Sequence, residues 1–260
     1  MNNIKQFKLK KNLQCTRFLD KKKEKFELEF NLEQGTSFNT FFSVEDDCLI
    51  IIHPPETNNF DSFLKIINNY IDEFSLKKIN IITGHINPKI VETIKKIKNY
   101  FNNLILTSSV PGNKLICELW EQKKPGEKDE LSVSLPDIEV IKKEVILEFK
   151  NNTFQLIPAP TARWPGGLIV FEKNDGYLFS EKLFSCHIAS EDWSENNRIS
   201  TESDRKHFYN CLMAPMSSQI TSLSEKVSEF DIKCIAPLHG PAIEYSLKSF
   251  LNDYIRWGEN

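Results

Sequence analysis

Apolar positions in this chain follow two rhythms that take turns. CLIIIH, from Cys48 to His53, is almost uninterrupted and reads as a strand buried on both faces, ended by Pro54-Pro55. Phe63, Leu64, Ile67, Ile71 and Phe74 then fall at helical spacing and predict an amphipathic helix over Phe60 to Phe74. Ile79 to Ile90, INIITGHINPKI, repeats the alternation. Its strand-forming run stops at Gly84-His85, and a helix with the stripe Ile90, Ile94 and Ile97 runs from Pro88 to Tyr100.

The same reading places strands at Phe26 to Phe30 and Ser37 to Ser43, joined by a turn at Glu33-Gln34-Gly35, and at Leu104 to Ser108. Asn113 to Trp120 is a helix, and Glu121 to Glu130, EQKKPGEKDE, is an exposed loop between two halves of one fold. Beyond Leu131 short strands dominate: Val145 to Phe149, Thr153 to Ile157, Gly167 to Phe171 and Tyr177 to Ser180, with a turn at Asn174-Asp175-Gly176. Helices follow over Asp204 to Leu212 and Ser217 to Phe230, then a strand at Ile232 to Ala236 and a closing helix over Ile243 to Trp257. Strands and helices interleave in two sets. That predicts an α/β protein (α+β in some schemes), an αββα sandwich of two mixed sheets flanked by helices, as a single domain over residues 1–260.

Composition agrees with a folded globular chain: 260 residues, 40% hydrophobic, with 19 Phe, can bury a sizeable core. A net charge of −3 gives no global attraction to nucleic acid, and no apolar run approaches the roughly 18 residues of a membrane span. Cys15, Cys48, Cys117, Cys186, Cys211 and Cys234 are scattered without C-x-x-C spacing, and the N-terminus is polar. The expectation is a reducing, cytoplasmic location.

Chemistry concentrates after the strand at Ile79. A strand-to-helix junction aims loop side chains into the crevice beyond the strand's end, and here it presents His85, Asn87 and Lys89. His239, in Leu-His-Gly-Pro, stands beyond another buried strand and can line the same crevice. Arg163 and Trp164 occupy a loop entering a strand, where Arg163 suits an anion or ring contact, or a structural pairing with a carboxylate. Glu181 and Lys182 are adjacent, so strand alternation would send them to opposite faces. His53, His187 and His207 read as ordinary histidines, and Cys186-His187 as no nucleophile pair. Phosphate-loop, dinucleotide-binding and nucleophile-elbow motifs are absent from the sequence.

Seven stretches in order carry a resemblance: Gln34 to Asn39, Pro54-Pro55-Glu56, Gly84-His85 with Pro88, Thr161 to Gly167, Lys182-Leu183-Phe184, Cys211 to Pro215, and His239-Gly240-Pro241. Together they resemble the metallo-β-lactamase-like domain of flavodiiron proteins, particularly the cyanobacterial diflavin type. The resemblance implies a di-iron site that reduces dioxygen or nitric oxide, fed by FMN on a flavodoxin-like domain. That domain and the flavin-reductase domain of diflavin members are not in this chain, which implies an excised first domain or a truncated gene product. Placed on this sequence, the family's H-x-E-x-D-H motif keeps His85 but has Asn87 for glutamate, Lys89 for aspartate and Ile90 for the last histidine. Arg163 stands for a histidine, Lys182 for the bridging aspartate, with Glu181 as the alternative one residue away, and His239 is kept.

Three cations in place of ligands act against a divalent metal, since like charges 4 Å apart repel by on the order of 1 kcal/mol in water and more when buried. The expectation is therefore a degenerate site holding no cofactor, with Lys89, Arg163 and Lys182 facing an anion or paired with Glu56 and Glu181. The implied role is a structural or partner subunit, homo- or hetero-oligomeric with a flavodiiron paralogue whose flavin-bearing domain faces it, in an oxygen-reducing NAD(P)H-linked flavoprotein. Two alternatives stand beside it: an oxidoreductase using the altered site, and a mononuclear metal hydrolase built on His85, His239 and Glu181.

Overall fold

The computed structural model describes residues 3–26, 29–30, 32–122, 133–195 and 199–259. It opens with two strands that the apolar rhythm does not announce, β1 (Ile4–Lys10) and β2 (Leu13–Asp20). β1 is a lysine-bearing edge strand, and β2 buries Thr16 and Arg17 where an apolar run would be expected. The stretch expected as one strand from Phe26 is instead a small hairpin of β3 (Lys25–Phe26) and β4 (Glu29–Phe30).

β5 (Thr36–Glu45), β6 (Cys48–Ile52), α1 (Phe60–Phe74), β7 (Lys78–Ile82), α2 (Pro88–Tyr100) and β8 (Leu104–Ser109) follow the predicted order closely. α3 (Val110–Glu121) begins earlier than expected, because Ser109 caps it by accepting from the Gly112 amide and Val-Pro-Gly forms its first turn. Of the polar stretch Glu121 to Glu130, Glu121 ends α3, and residues 123–130 lie outside the described residues. A further strand, β9 (Asp137–Ile141), then joins the first sheet.

The second half contains β10 (Val145–Glu148), β11 (Thr153–Pro158), β12 (Leu168–Glu172), β13 (Tyr177–Phe179), α4 (Ile199–Phe208), α5 (Ser217–Ser228), β14 (Cys234–Ala236) and α6 (Leu247–Glu259). A π-helical turn, Tyr209–Met213, extends α4. The closing helix starts after Ile243, because Ile243 is pinned to Ile235 by a β-bridge.

The described strands form a seven-stranded sheet, ordered β1-β2-β5-β6-β7-β8-β9, and a five-stranded sheet, β10-β11-β12-β13-β14. Both are mixed: β6 to β9 run parallel, as do β13 and β14, and the other neighbours are antiparallel. Alternation along β6 explains the continuous run. Ile50 and Ile52 face the second sheet, meeting a layer with Phe154, Leu156, Val170 and Phe179, whereas Leu49 and Ile51 pack under α1 and α2. α4, α5 and α6 cover the other face of the second sheet around Phe171, Leu178 and Ile235. This is an αββα metallo-β-lactamase-like sandwich. Among the described residues no helix is long and apolar enough to cross a membrane.

Candidate functional site

The loops after β7, β13 and β14 leave the carboxyl ends of their strands and meet the loop between β11 and β12 at one end of the sandwich. Contact is backbone-close. A Cβ on Gly84 would lie 2.6 Å from the Leu168 nitrogen, and one on Gly166 would lie 2.7 Å from the Gly84 oxygen. Only glycine lets the two loops touch here, which fixes His85 beside Trp164.

The His239 loop is held from β5. Asn39 donates through Nδ2 to the Pro237 and Gly240 carbonyls at 2.8 and 2.9 Å, and the Gly240 amide donates to Ser37 Oγ at 3.0 Å. Gly240 sits at φ +86°, with a Cβ position 2.5 Å from Cys186 Sγ, so it too must lack a side chain. His239 is 1% exposed. Its Nδ1 lies 2.7 Å from the Ser37 carbonyl, which can only accept, so Nδ1 carries the proton and Nε2 keeps its lone pair. That lone pair faces the Lys182 ammonium at 3.1 Å. Burial first, then the charges of Lys182, His187 and His85, hold His239 well below the usual histidine range, so the ring stays neutral.

His85 is treated similarly. Asn87 caps α2, its Oδ1 accepting from the Ile90 amide at 2.9 Å, which assigns Nδ2 as the donor to Glu56 Oε1 at 3.0 Å and to His85 Nε2 at 3.3 Å. Both histidines that the resemblance expects as ligands therefore offer Nε2 to an N–H of a side chain that stands where the resemblance expects a carboxylate.

Lys182 is 1% exposed, and besides His239 its ammonium lies 5.0 Å from the Phe26 ring and 5.6 Å from the Trp164 ring. Phe26, from the β3–β4 hairpin, also packs on His187 and His239 at 4.5 and 5.0 Å between centroids. His187, which reads from sequence as an ordinary histidine, is 4% exposed, bonded to Thr36 Oγ1 at 2.7 Å and 5.0 Å from the His239 ring. Neither Phe26 nor His187 was singled out as a site residue from sequence. The hairpin's two-residue strands give almost no periodic signal, and Ser185-Cys186-His187 looks polar without its tertiary neighbours.

The remaining candidates separate. Lys89 points outward, its ammonium 3.1 Å from Glu56 Oε2 with the side chain 59% exposed, and Ile90 is buried in the core beneath α2. Arg163 lies over its neighbour Trp164 at 5.5 Å and borders an outer cleft with His85. Glu181 and Lys182 do not alternate as strand neighbours: β13 ends at Phe179, Glu181 takes φ +57°, and both residues are buried and border one small pocket. Strand alternation simply does not apply in that turn.

The implied di-iron group was tested against these residues, and they do not fit it. Iron pairs need several carboxylates and imidazoles with free lone pairs. Here Nε2 of each imidazole faces an N–H donor, the Lys182 ammonium for His239 and the Asn87 amide for His85, and a phenyl ring packs against His239. Among the described residues no group of three His, Cys, Asp or Glu is placed to hold a metal, so His85, His239 and Glu181 do not assemble as the mononuclear hydrolase alternative requires.

Comparison with known proteins agrees with this architecture. The model of the ODP family β-lactamase matches residues 36–240. Diflavin flavoprotein A 5 of Nostoc is 30% identical over 90% of this chain, and diflavin flavoprotein A 4 of Synechocystis is 27% identical over 90%. The chain spans only 39% and 37% of those relatives' lengths. A crystal structure of fragment 1–254 of the Nostoc A 5 protein superposes with a TM-score of 0.84 at 25% identity, covering 99% of this chain and 97% of the fragment. The metal-soaked flavodiiron core from Synechocystis gives 0.86 at 23% identity over 99% of this chain and 61% of its own. Rubredoxin oxygen:oxidoreductase from Desulfovibrio gigas gives 0.82 at 15% over 98% and 62%. With the family model matched over residues 36–240 and the sandwich shared, this chain belongs to the ODP family of β-lactamase folds, as a flavodiiron-type member related to the cyanobacterial diflavin flavoproteins.

Proposed function

We propose that this chain is a metal-free flavodiiron-type domain that serves as a structural or partner subunit of an oxygen-reducing, flavin-linked electron-transfer assembly in the cytoplasm. One observation carries the reading: Lys182 Nζ stands 3.1 Å from His239 Nε2, at the position and on the atom that a metal would need. An ammonium there satisfies the imidazole and supplies a buried positive charge, so a divalent ion would have to displace both. The Phe26 ring adds an apolar cover over the same histidine. What persists is the shell: the glycine-tight loop junction, the Asn39 and Ser37 bonds and the capped α2. A domain that keeps the sandwich without the metal chemistry suits assembly with a catalytically complete, flavin-bearing paralogue. The cysteines, none of them in a disulfide, support a reducing compartment.

Two measurements test this. Elemental analysis of protein produced in iron-rich medium is expected to give far below one iron per chain. Iron near two per chain that falls when His85 or His239 is replaced by alanine would overturn the metal-free reading. Co-expression with a flavodiiron paralogue, followed by sedimentation analysis, is expected to give a hetero-oligomer. Persistent independence of the two chains would overturn the partner role.

A further inference from the structure

Lysine is almost never fully buried unless its charge meets compensating groups. Lys182 is 1% exposed, and the chain bends sharply to put it there. Glu181 before it and Phe184 after it stand at φ +57° and +66°, in the left-handed region that bulky side chains avoid. The turn closes on itself. The Leu183 amide donates to the Ser180 carbonyl at 3.1 Å, Ser180 Oγ to the Leu183 carbonyl at 2.6 Å, and the Ser185 amide to the Lys182 carbonyl at 3.3 Å.

The ammonium lies where separate segments converge. His239 Nε2, 3.1 Å away, comes from the loop after β14; the Phe26 ring, at 5.0 Å, from β3; and the Trp164 ring, at 5.6 Å, from the loop between β11 and β12. Both rings present π-density to the charge, and such contacts strengthen when water is excluded. His239 is set for its part: the Ser37 carbonyl fixes the proton on Nδ1, so Nε2 accepts from Lys182, where an imidazolium would repel it.

Backbone bonds join the loops after β13 and β14 without help from the charge. The Leu238 amide donates to the Glu181 carbonyl at 2.8 Å, and the Cys186 amide to the His239 carbonyl at 3.2 Å. Neither bond reaches Phe26 or Trp164. Phe26 meets the cluster through its ring, against Lys182, His187 and His239. Neutralising Lys182 would therefore loosen the aromatic contacts and leave the loop pair bonded.

A bound metal ion, besides its chemistry, ties together the segments that ligate it. The di-iron group does not fit these residues, yet the segments still converge on one positive charge. We propose that the Lys182 ammonium is the resident cation of this site, cross-linking the loop after β13 to His239, Phe26 and Trp164 as a metal ion cross-links its ligands. The proposal rests on the metal-free reading and adds to it the group that holds the loops together.

Two experiments on the full chain test it. Lys182→Ala removes the segment from Cγ to Nζ, which has the shape of propylammonium, and enlarges the small pocket that Lys182 borders. Its Tm is expected to fall and to recover saturably with propylammonium chloride, but not with 1-propanol or sodium chloride. In a urea double-mutant cycle, Lys182→Met and Phe26→Leu are expected to be non-additive by about fivefold in the unfolding constant. Should the variants fail to fold, NMR of the wild type decides: a slowly exchanging Lys182 ammonium with a nuclear Overhauser contact to the Phe26 ring is expected. An additive cycle, equal rescue by 1-propanol, or a fast-exchanging ammonium without that contact would overturn the proposal. Any of these with iron still far below one per chain would sink the cross-link and leave the metal-free reading standing, whereas iron near two per chain would sink both.

Discussion

His53 makes acid stability a direct readout of burial. The residue closes β6 in the left-handed region at φ +60°, is 3% exposed, and lies against Phe41. Its ring bonds to the Phe179 backbone, and its Nε2 has no hydrogen-bond partner. Burial lowers its pKa from 6.5 to about 3, the Phe179 bond offsetting only part of that. The sign follows from proton counting. Between these values the unfolded chain holds a proton that the folded chain refuses, so stability is full above about pH 6.5 and falls as pH drops towards 3. The slope is about 1.4 kcal/mol per pH unit, so about 2.5 kcal/mol is lost by roughly pH 4.5 and on the order of 5 kcal/mol by pH 3. That is a large part of the 5–15 kcal/mol typical of a folded domain. The assay is urea unfolding, followed by circular dichroism at stepped pH, of wild type and His53→Asn. Asparagine tolerates the left-handed backbone and can donate to Phe179 without titrating. His239 also loses stability in acid but does so in both proteins, so the difference isolates His53. Parallel stability curves from about pH 6.5 to 4 would refute the reasoning.

Three further outcomes follow from other buried contacts. Arg205 is fully buried, with Nη2 3.0 Å from Glu195 Oε2 and 3.0 Å from the Pro241 carbonyl; Arg205→Met strands Glu195 and is expected to lose about 3–5 kcal/mol, on the order of 10 °C in Tm. A milder loss than about 1 kcal/mol by calorimetry would contradict this. Gly84→Ala drives a methyl into the Leu168 backbone and is expected to cost more than about 2 kcal/mol, seen as a shifted urea midpoint, where an open helical glycine would gain stability from the same change. Burial pushes the thiols of Cys15 and Cys186 up to about 12, whereas partly exposed Cys211 has His207 Nε2 3.6 Å from its sulfur. Peptide mapping after native alkylation should find Cys211 labelled first and Cys15 and Cys186 only after unfolding; early labelling of Cys186 would argue against the packing around Gly240.

The linear pattern determined the sandwich because its carriers are local. Alternation and length identify β6 and β7, the Ile90, Ile94 and Ile97 stripe and Pro88 define α2, and these depend on neighbours within a few residues. The substitutions that the resemblance implies, at Asn87, Lys89, Ile90, Arg163 and Lys182, are likewise local, each depending on one position at a time. The tertiary structure decided what those substitutions do to one another. Lys182 and His239 are 57 positions apart and Phe26 is farther still, so the ammonium on Nε2 and the ring over it arise only when β13, β14 and the β3–β4 hairpin converge. Strand alternation could not place Glu181 and Lys182, because a left-handed turn replaces the strand there. Likewise the sequence grouped three cations, and packing divided them: Lys89 to Glu56 outside, Lys182 to His239 inside, and Arg163 to the cleft between the two loop systems. Residue type is a local property, but the direction in which a charge points is set by the backbone that carries it and by the groups that surround it.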